Sequence, residues 1–292
     1  MSRIVTRLAP LLYLVIVLSI SSASILVLLS GASAVACAFW RTLVAGVLMT
    51  AVCASSSRFA GITHKYKYLI YSTVAGVMLS AHFIMWMKSL FLVPVAVSTT
   101  TVITYPLFNA LADAVLLREP PTKMQVVGML LAFTGVVLFL HPRISTGYDV
   151  VGVVLALASA IAAAAYFNLG RVIRKKVGLG EYTSVTYLVS AAVTAIYAAV
   201  SSENIATYPP STYAYFILLA VIPMIGGHTL MNYLLRYFKT HIITSLSFIE
   251  PLGASLLAYL FLGQHITAYI AISMSLVLIG VFITVLGGLK VT

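Results

Sequence analysis

Thr99-Thr100-Thr101-Val102-Ile103-Thr104-Tyr105-Pro106-Leu107 and Thr244-Ser245-Leu246-Ser247-Phe248-Ile249-Glu250-Pro251-Leu252 are one segment written twice, 145 positions apart. The register holds outward from them. Leu111 falls on Leu256, Leu117 on Leu262, Thr122 on Thr267, Met129 on Met274 and Gly135 on Gly280. Each copy is a long apolar run with a proline near its middle, then a short polar break and a second apolar run. Self-similarity at one fixed offset marks an internal duplication, and it governs every local reading that follows.

The chain is 62% hydrophobic and only 8% charged, against roughly 25% charge in an average soluble domain. It cannot cover a water-facing surface, so it is read as a polytopic membrane protein of the cell membrane. The net charge of +11 does not point to nucleic acid, because the basic residues sit in the breaks between apolar runs. Cys37 and Cys53 share one run; at about 1.5 Å rise per residue they lie about 24 Å apart, too far for a disulfide.

A helix crossing a bilayer needs about 20 apolar residues. Ten runs qualify: 8–29, 32–54, 68–87, 93–117 and 124–140, then 150–169, 183–200, 212–235, 242–262 and 267–289. The first is read as an uncleaved span, since it exceeds the h-region of a signal peptide. The expected fold is an all-α membrane protein of ten transmembrane helices in two five-helix repeats, residues 1–146 and 147–292. An odd number of spans per repeat inverts the second repeat against the first. Placing the N-terminus in the cytoplasm puts Arg3, Arg7, Arg58, Lys65, Lys67, Arg118, Lys123, Arg171, Arg174, Lys175, Lys176, Arg236, Lys239 and Lys290 on that side, against only Lys88 and Arg143 opposite. That bias orients both termini inward. Tyr208-Pro209-Pro210 reads as a rigid external turn.

Several segments carry a family pattern. They are Phe39-Trp40-Arg41-Thr42-Leu43, Val93-Pro94-Val95-Ala96-Val97, Tyr105-Pro106, Leu116-Leu117-Arg118-Glu119, Gly128 with Gly135, and Phe248-Ile249-Glu250-Pro251-Leu252. With them the whole chain resembles the drug/metabolite transporter superfamily, in particular its ten-helix EamA-type exporters. The resemblance implies two inverted repeats around a central cavity and export of metabolites, often amino acids. One departure stands out: the second copy of Leu-Gly-Glu reads Leu262-Gly263-Gln264, without the acid.

Arg41 and Glu250 fall near the middles of their spans, where a charge costs at least about 2.5 kcal/mol on insertion scales. Either they receive a substrate carboxylate and an amine or proton, or they pair with each other. Pro106 and Pro251 each remove a backbone donor inside a helix, and are read as hinges beside Thr101 and Tyr105. The neighbouring hydroxyls line a cavity or satisfy their own backbone. His82 and His228, one position out of the 145 register, are candidates for a proton relay or for helix-to-helix hydrogen bonds. Tyr166 and Asn232 are candidate cavity polars, Trp86 an interface anchor, and Asp113 a structural residue or inner gate. Ser21, Ser22 and Ser24 form a small-residue packing patch.

Other classes fit less well. The sequence has no P-loop, His-Glu-x-x-His or Gly-x-Ser-x-Gly motif, so an enzyme is not expected, and neither a cofactor nor a metal is. The leading expectation is an exporter of amino acids or related zwitterions working by alternating access. Its alternatives are a proton-coupled exporter of cationic drugs and a channel. Expected partners are a small-molecule substrate, the lipid bilayer and, as a candidate, protons, with the chain a monomer or weak homo-oligomer.

Overall fold

The computed structural model describes residues 3–55, 66–93, 95–140, 149–253, 256 and 268–289. Arg58, Lys65, Arg143, Lys290, Pro94 and the 262–264 break lie outside the described residues. In lipid a backbone must satisfy its own hydrogen bonds, and helices do so within one segment. The described chain accordingly runs as α1 (Arg3–Ser21), α2 (Ala23–Leu29), α3 (Ala34–Ser55), α4 (Tyr66–Leu92), α5 (Val95–Val102), α6 (Tyr105–Val115) and α7 (Lys123–Leu140) in the first half. The second half has α8 (Val150–Arg174), α9 (Leu179–Ser201), α10 (Pro210–Leu219), a π-helical stretch (Ala220–Thr229), α11 (Leu230–Leu234), α12 (Thr240–Thr244), a 3₁₀ turn (Ser245–Ile249) and α13 (Ala268–Leu289).

Local chemistry sets the ends. Gly31 takes φ +64° between α2 and α3, a conformation open to glycine at little cost. Asp149 accepts the Val151 N–H at 2.8 Å and caps α8. Glu181 reaches back to the Gly178 N–H at 3.0 Å and caps α9.

Seven helical segments among the described residues are long and apolar enough to cross a membrane, and α7 is a shorter apolar helix. The other two expected spans are the ones that carry the repeated proline, and both are broken. α5 ends at Val102 and α6 restarts at Tyr105 with Pro106 in its first turn. In the second copy α12 passes into the 3₁₀ turn, and Pro251 sits at the start of the helical residues 250–253. The expectation of prolines inside one kinked helix is therefore corrected. Each lies in a first turn, where its missing N–H leaves no bond unmade.

The two halves pack reciprocally. α7 crosses α13 and α3 crosses α9, each helix against its own counterpart. α4 packs on α8, and α1 packs on the π-helical stretch, which is the same contact with the copies exchanged. Glycine contacts show the exchange residue by residue. The Cα face of Gly135 lies on Val277 N and Ser273 O, and that of Gly280 on Ala132 N and Gly128 O. Each pair becomes the other under the 145 offset. Of the serine patch, Ser21 packs against Gly253, and just before it Ser19 and Ile20 press against Gly226 and Gly227.

Candidate functional site

The broken helices of both copies meet at one cavity, lined by Ile20, Ala23, Arg41, His82, Trp86, Val102, Tyr105, His228 and Glu250, with a free volume of about 30 Å³. One polar residue comes from each of α3, α6, the π-helical stretch and the segment after the 3₁₀ turn, and two ring side chains, His82 and Trp86, come from α4. In this conformation there is room for one or two waters, and a bound solute requires the walls to part.

Arg41 is 1% exposed, and its guanidinium carbon lies 4.1 Å from the centroid of Phe83. Its Nε and Nη1 have no hydrogen-bond partner. No ion pair within 4.0 Å joins Arg41 to Glu250 among the described residues, although both line the cavity. Of the two sequence alternatives, direct mutual pairing is thus absent. A buried guanidinium with free N–H groups is expensive unless a ligand or water meets it.

His82 is fixed across helices. Ser159 Oγ donates its one proton to the His82 carbonyl at 2.8 Å, so it must accept from His82 Nδ1, also at 2.8 Å. The Ser159 carbonyl, 3.2 Å from the same nitrogen, agrees. The ring is therefore protonated at Nδ1, and its Nε2 lone pair is left for the cavity. His228 is 6.1 Å from His82 between ring centroids, packed among Phe83, Phe167 and Tyr166, with Nδ1 unpartnered.

Trp86 departs from expectation. It is 4% exposed, stacks on His82 at 6.2 Å and 5°, lines the cavity, and has an unpartnered indole N–H. It is a cavity wall and not an interface anchor, because α4 runs on to Leu92 and places Trp86 deeper than a span ending at residue 87 would. Tyr105 stacks on Phe167 at 5.5 Å, and its hydroxyl bonds that of Ser247, tying the first copy to the second.

Three expected site residues do not line the cavity. Thr101 donates to the Val97 carbonyl at 2.8 Å. Asn232 donates to Tyr166 Oη at 2.5 Å and to the His228 carbonyl at 2.7 Å. Asn232 and Tyr166 thus form a layer that holds the His228 backbone. Ser247 is one of the hydroxyls expected beside Pro251, whereas Ser159 and His241 were not singled out from sequence. Small hydroxyls are common in every span, and His241 sat at the edge of a polar break.

Each end of the molecule is bridged. Gly152 of α8 packs on Leu92 and Val93, so the start of α8 shares one end with the close of α4. There Lys88 joins Glu203 at 2.7 Å and Tyr197 at 2.7 Å. At the other end Glu119 takes Arg171 at 3.1 to 3.3 Å and Lys175 at 2.5 Å, and Lys239 caps the Pro120 carbonyl at 2.9 Å. Partial burial pushes the Glu119 carboxyl upward, but the Lys175 hydrogen bond and the Arg171 charge outweigh it and hold it below the usual carboxylate range. Deeper at this end, Asp113 pairs with His241 at 2.7 Å.

The comparisons with known proteins agree with this architecture. A solved protein crystal structure superposes with a TM-score of 0.78 at 19% identity, over 96% of this chain and 97% of that one. A curated relative from Archaeoglobus fulgidus, described as an uncharacterized transporter, is 32% identical over 97 residues. The match covers 33% of this chain and 32% of the relative, about a third of its length. The model of the EamA-like transporter family matches twice, at residues 8–141 and 150–286. Duplicated in sequence, reciprocal in packing and matched over both halves, this multi-pass membrane protein belongs to the EamA-like transporter family, whose members move small molecules across membranes.

Proposed function

We propose that the protein exports small zwitterionic metabolites, amino acids or close relatives, by alternating access around the cavity. The observation that carries this reading is that Arg41 and Glu250 both line the cavity with no ion pair within 4.0 Å between them. Arg41, with two unpartnered guanidinium nitrogens, receives a carboxylate. Glu250 and the bare Nε2 of His82 receive an ammonium. Tyr105 and His228 close the pocket, while Thr101, Tyr166 and Asn232 act from behind it by holding backbone and rings. The two units, residues 1–146 and 147–292, are inverted relative to each other, with both termini and the Glu119 end in the cytoplasm. Pro106 and Pro251 mark the hinges about which the repeats rock.

The test is counterflow of radiolabelled amino acids in proteoliposomes. Saturable exchange is expected for the wild type, with Arg41→Lys weakened and Arg41→Leu inactive while still folded. Uptake that survives Arg41→Leu in folded protein removes the carboxylate role, and unsaturable flux would mark a channel instead.

A further inference from the structure

We propose that Asp113, His241 and Gln125 form a one-proton gate at the cytoplasmic end, closed while the cluster holds its proton and released when that proton leaves. The cytoplasmic assignment rests on the orientation just proposed; the proton count rests on geometry alone.

Asp113 lies on α6, Gln125 on α7 and His241 on α12, so the cluster fastens the first copy to the second. All three side chains are fully buried. Asp113 Oδ2 accepts the His241 backbone N–H at 2.9 Å and lies 2.7 Å from His241 Nδ1. His241 Nε2 is 3.2 Å from Gln125 Oε1. The amide cannot be turned round, because the Thr122 backbone N–H donates to the same Oε1 at 2.8 Å. Both ring nitrogens therefore face acceptors. Both ring nitrogens are partnered when the aspartate–histidine unit holds one proton beyond aspartate plus neutral imidazole, while Asp113 Oδ1 and Gln125 Nε2 have no partner among the described residues. Loss of it turns a nitrogen lone pair against either Oδ2 or Oε1 in a site closed to water, which drives the two copies apart. The step balances as imidazolium and carboxylate giving imidazole, carboxylate and one proton to cytoplasmic water.

The neighbours make that proton releasable. A hollow of about 270 Å³ touches Gln125 and Ile242 and is bordered by Arg171, Glu119 and Lys239. Arg171 of α8 is matched by Glu119 and the Leu235 carbonyl. Lys239, directly before α12, donates to the Pro120 carbonyl and borders the same hollow. α11 brings Tyr233, followed by Arg236 and Tyr237; the 3₁₀ turn brings no titratable group, and α13 only Tyr269 among its described residues.

The experiment uses the full-length chain in lipid nanodiscs with ¹⁵N-labelled histidine, and needs no substrate. Its failure is thereby separate from failure of the transport assay. His241, identified by its loss in His241→Gln, should show both ring nitrogens protonated near pH 6. As pH rises the ring should lose one proton, together with faster hydrogen–deuterium exchange in residues 239–245 after correction for intrinsic rates. Asp113→Asn and His241→Gln should each remove the pH dependence of that exchange. A His241 ring with a single proton at pH 5 in the wild type overturns the proposal without any variant. So does exchange whose pH dependence persists in both His241→Gln and Asp113→Asn.

Discussion

Gly280 is the position at which a single methyl group should do most harm. A Cβ placed there meets Ala132 N, lies 2.6 Å from Gly128 O and 2.8 Å from Ala132 Cα, all backbone atoms of α7 that no rotamer change can clear. Restoring ordinary carbon contacts of about 3.5 Å requires α7 and α13 to separate by about 1 Å. The seam between the halves then loses contact along its length. Overpacking of this kind costs about 1–3 kcal/mol, and the rigid neighbours place Gly280→Ala at the upper end. Its counterpart Gly135→Ala meets Val277 N at 2.8 Å, Ser273 O at 2.9 Å and the movable Val277 Cγ2 at 2.9 Å, so about 1 kcal/mol is expected. Unfolding of the purified variants in mixed micelles by denaturing detergent gives both values. A Gly280→Ala protein as stable as wild type, or one less affected than Gly135→Ala, refutes the reciprocal close packing from which the numbers were worked.

Other perturbations separate the roles of single groups. Glu250→Gln should abolish exchange of zwitterions while leaving the melting temperature near that of wild type, read by counterflow and thermal unfolding on the same preparation. Trp86→Phe keeps the stack on His82 but removes a buried indole N–H that has no partner; a changed rank order of transported solutes with unchanged folding is expected. Ser159→Ala should destabilise by about 0.6 kcal/mol, the usual worth of a hydrogen bond between membrane helices, while the backbone carbonyl at 159 keeps the His82 tautomer, visible in its ¹⁵N shifts. At the exposed end, Glu119 has its carboxyl held low. Its contribution is therefore present above the ordinary carboxylate range and lost as pH falls through the lowered folded value. Glu119→Gln should remove that acid dependence and should cost at most about 1 kcal/mol, less at high salt.

How far the sequence could be read depends on which physical signal each feature leaves in it. The duplication and the apolar spans are written in composition and period, so the helices follow to within a few residues. Arg41 and Glu250 were legible because a charge in lipid is costly and therefore conspicuous. The cavity brings five of the expected residues together: Arg41, His82, Tyr105, His228 and Glu250. Thr101, Tyr166 and Asn232 fell outside because a hydroxyl or amide in a membrane helix finds a backbone carbonyl as readily as a solute, and sequence does not distinguish the two. Trp86 was misplaced by an error of a few residues at a helix end, enough to exchange an interface for an interior. Ser159 and His241 gain their roles only from helices distant in sequence, and spacing within one helix holds no trace of that.

The π-helical stretch at Ala220–Thr229 explains why the second histidine is one place late. Upstream of it Tyr68 and Tyr71 correspond to Tyr213 and Phe216 at an interval of 145, whereas His82 and Met85 correspond to His228 and Met231 at 146. The second copy holds one more residue than the first between these markers, and wider turns absorb it without unwinding the chain. Excising one residue, Val221 for instance, would restore ordinary winding and swing His228 by about 100° around the helix axis, away from His82. The ring-to-ring meeting at the centre of the molecule thus depends on a single residue by which the two halves differ in length there, taken up by the wide turns of one helix.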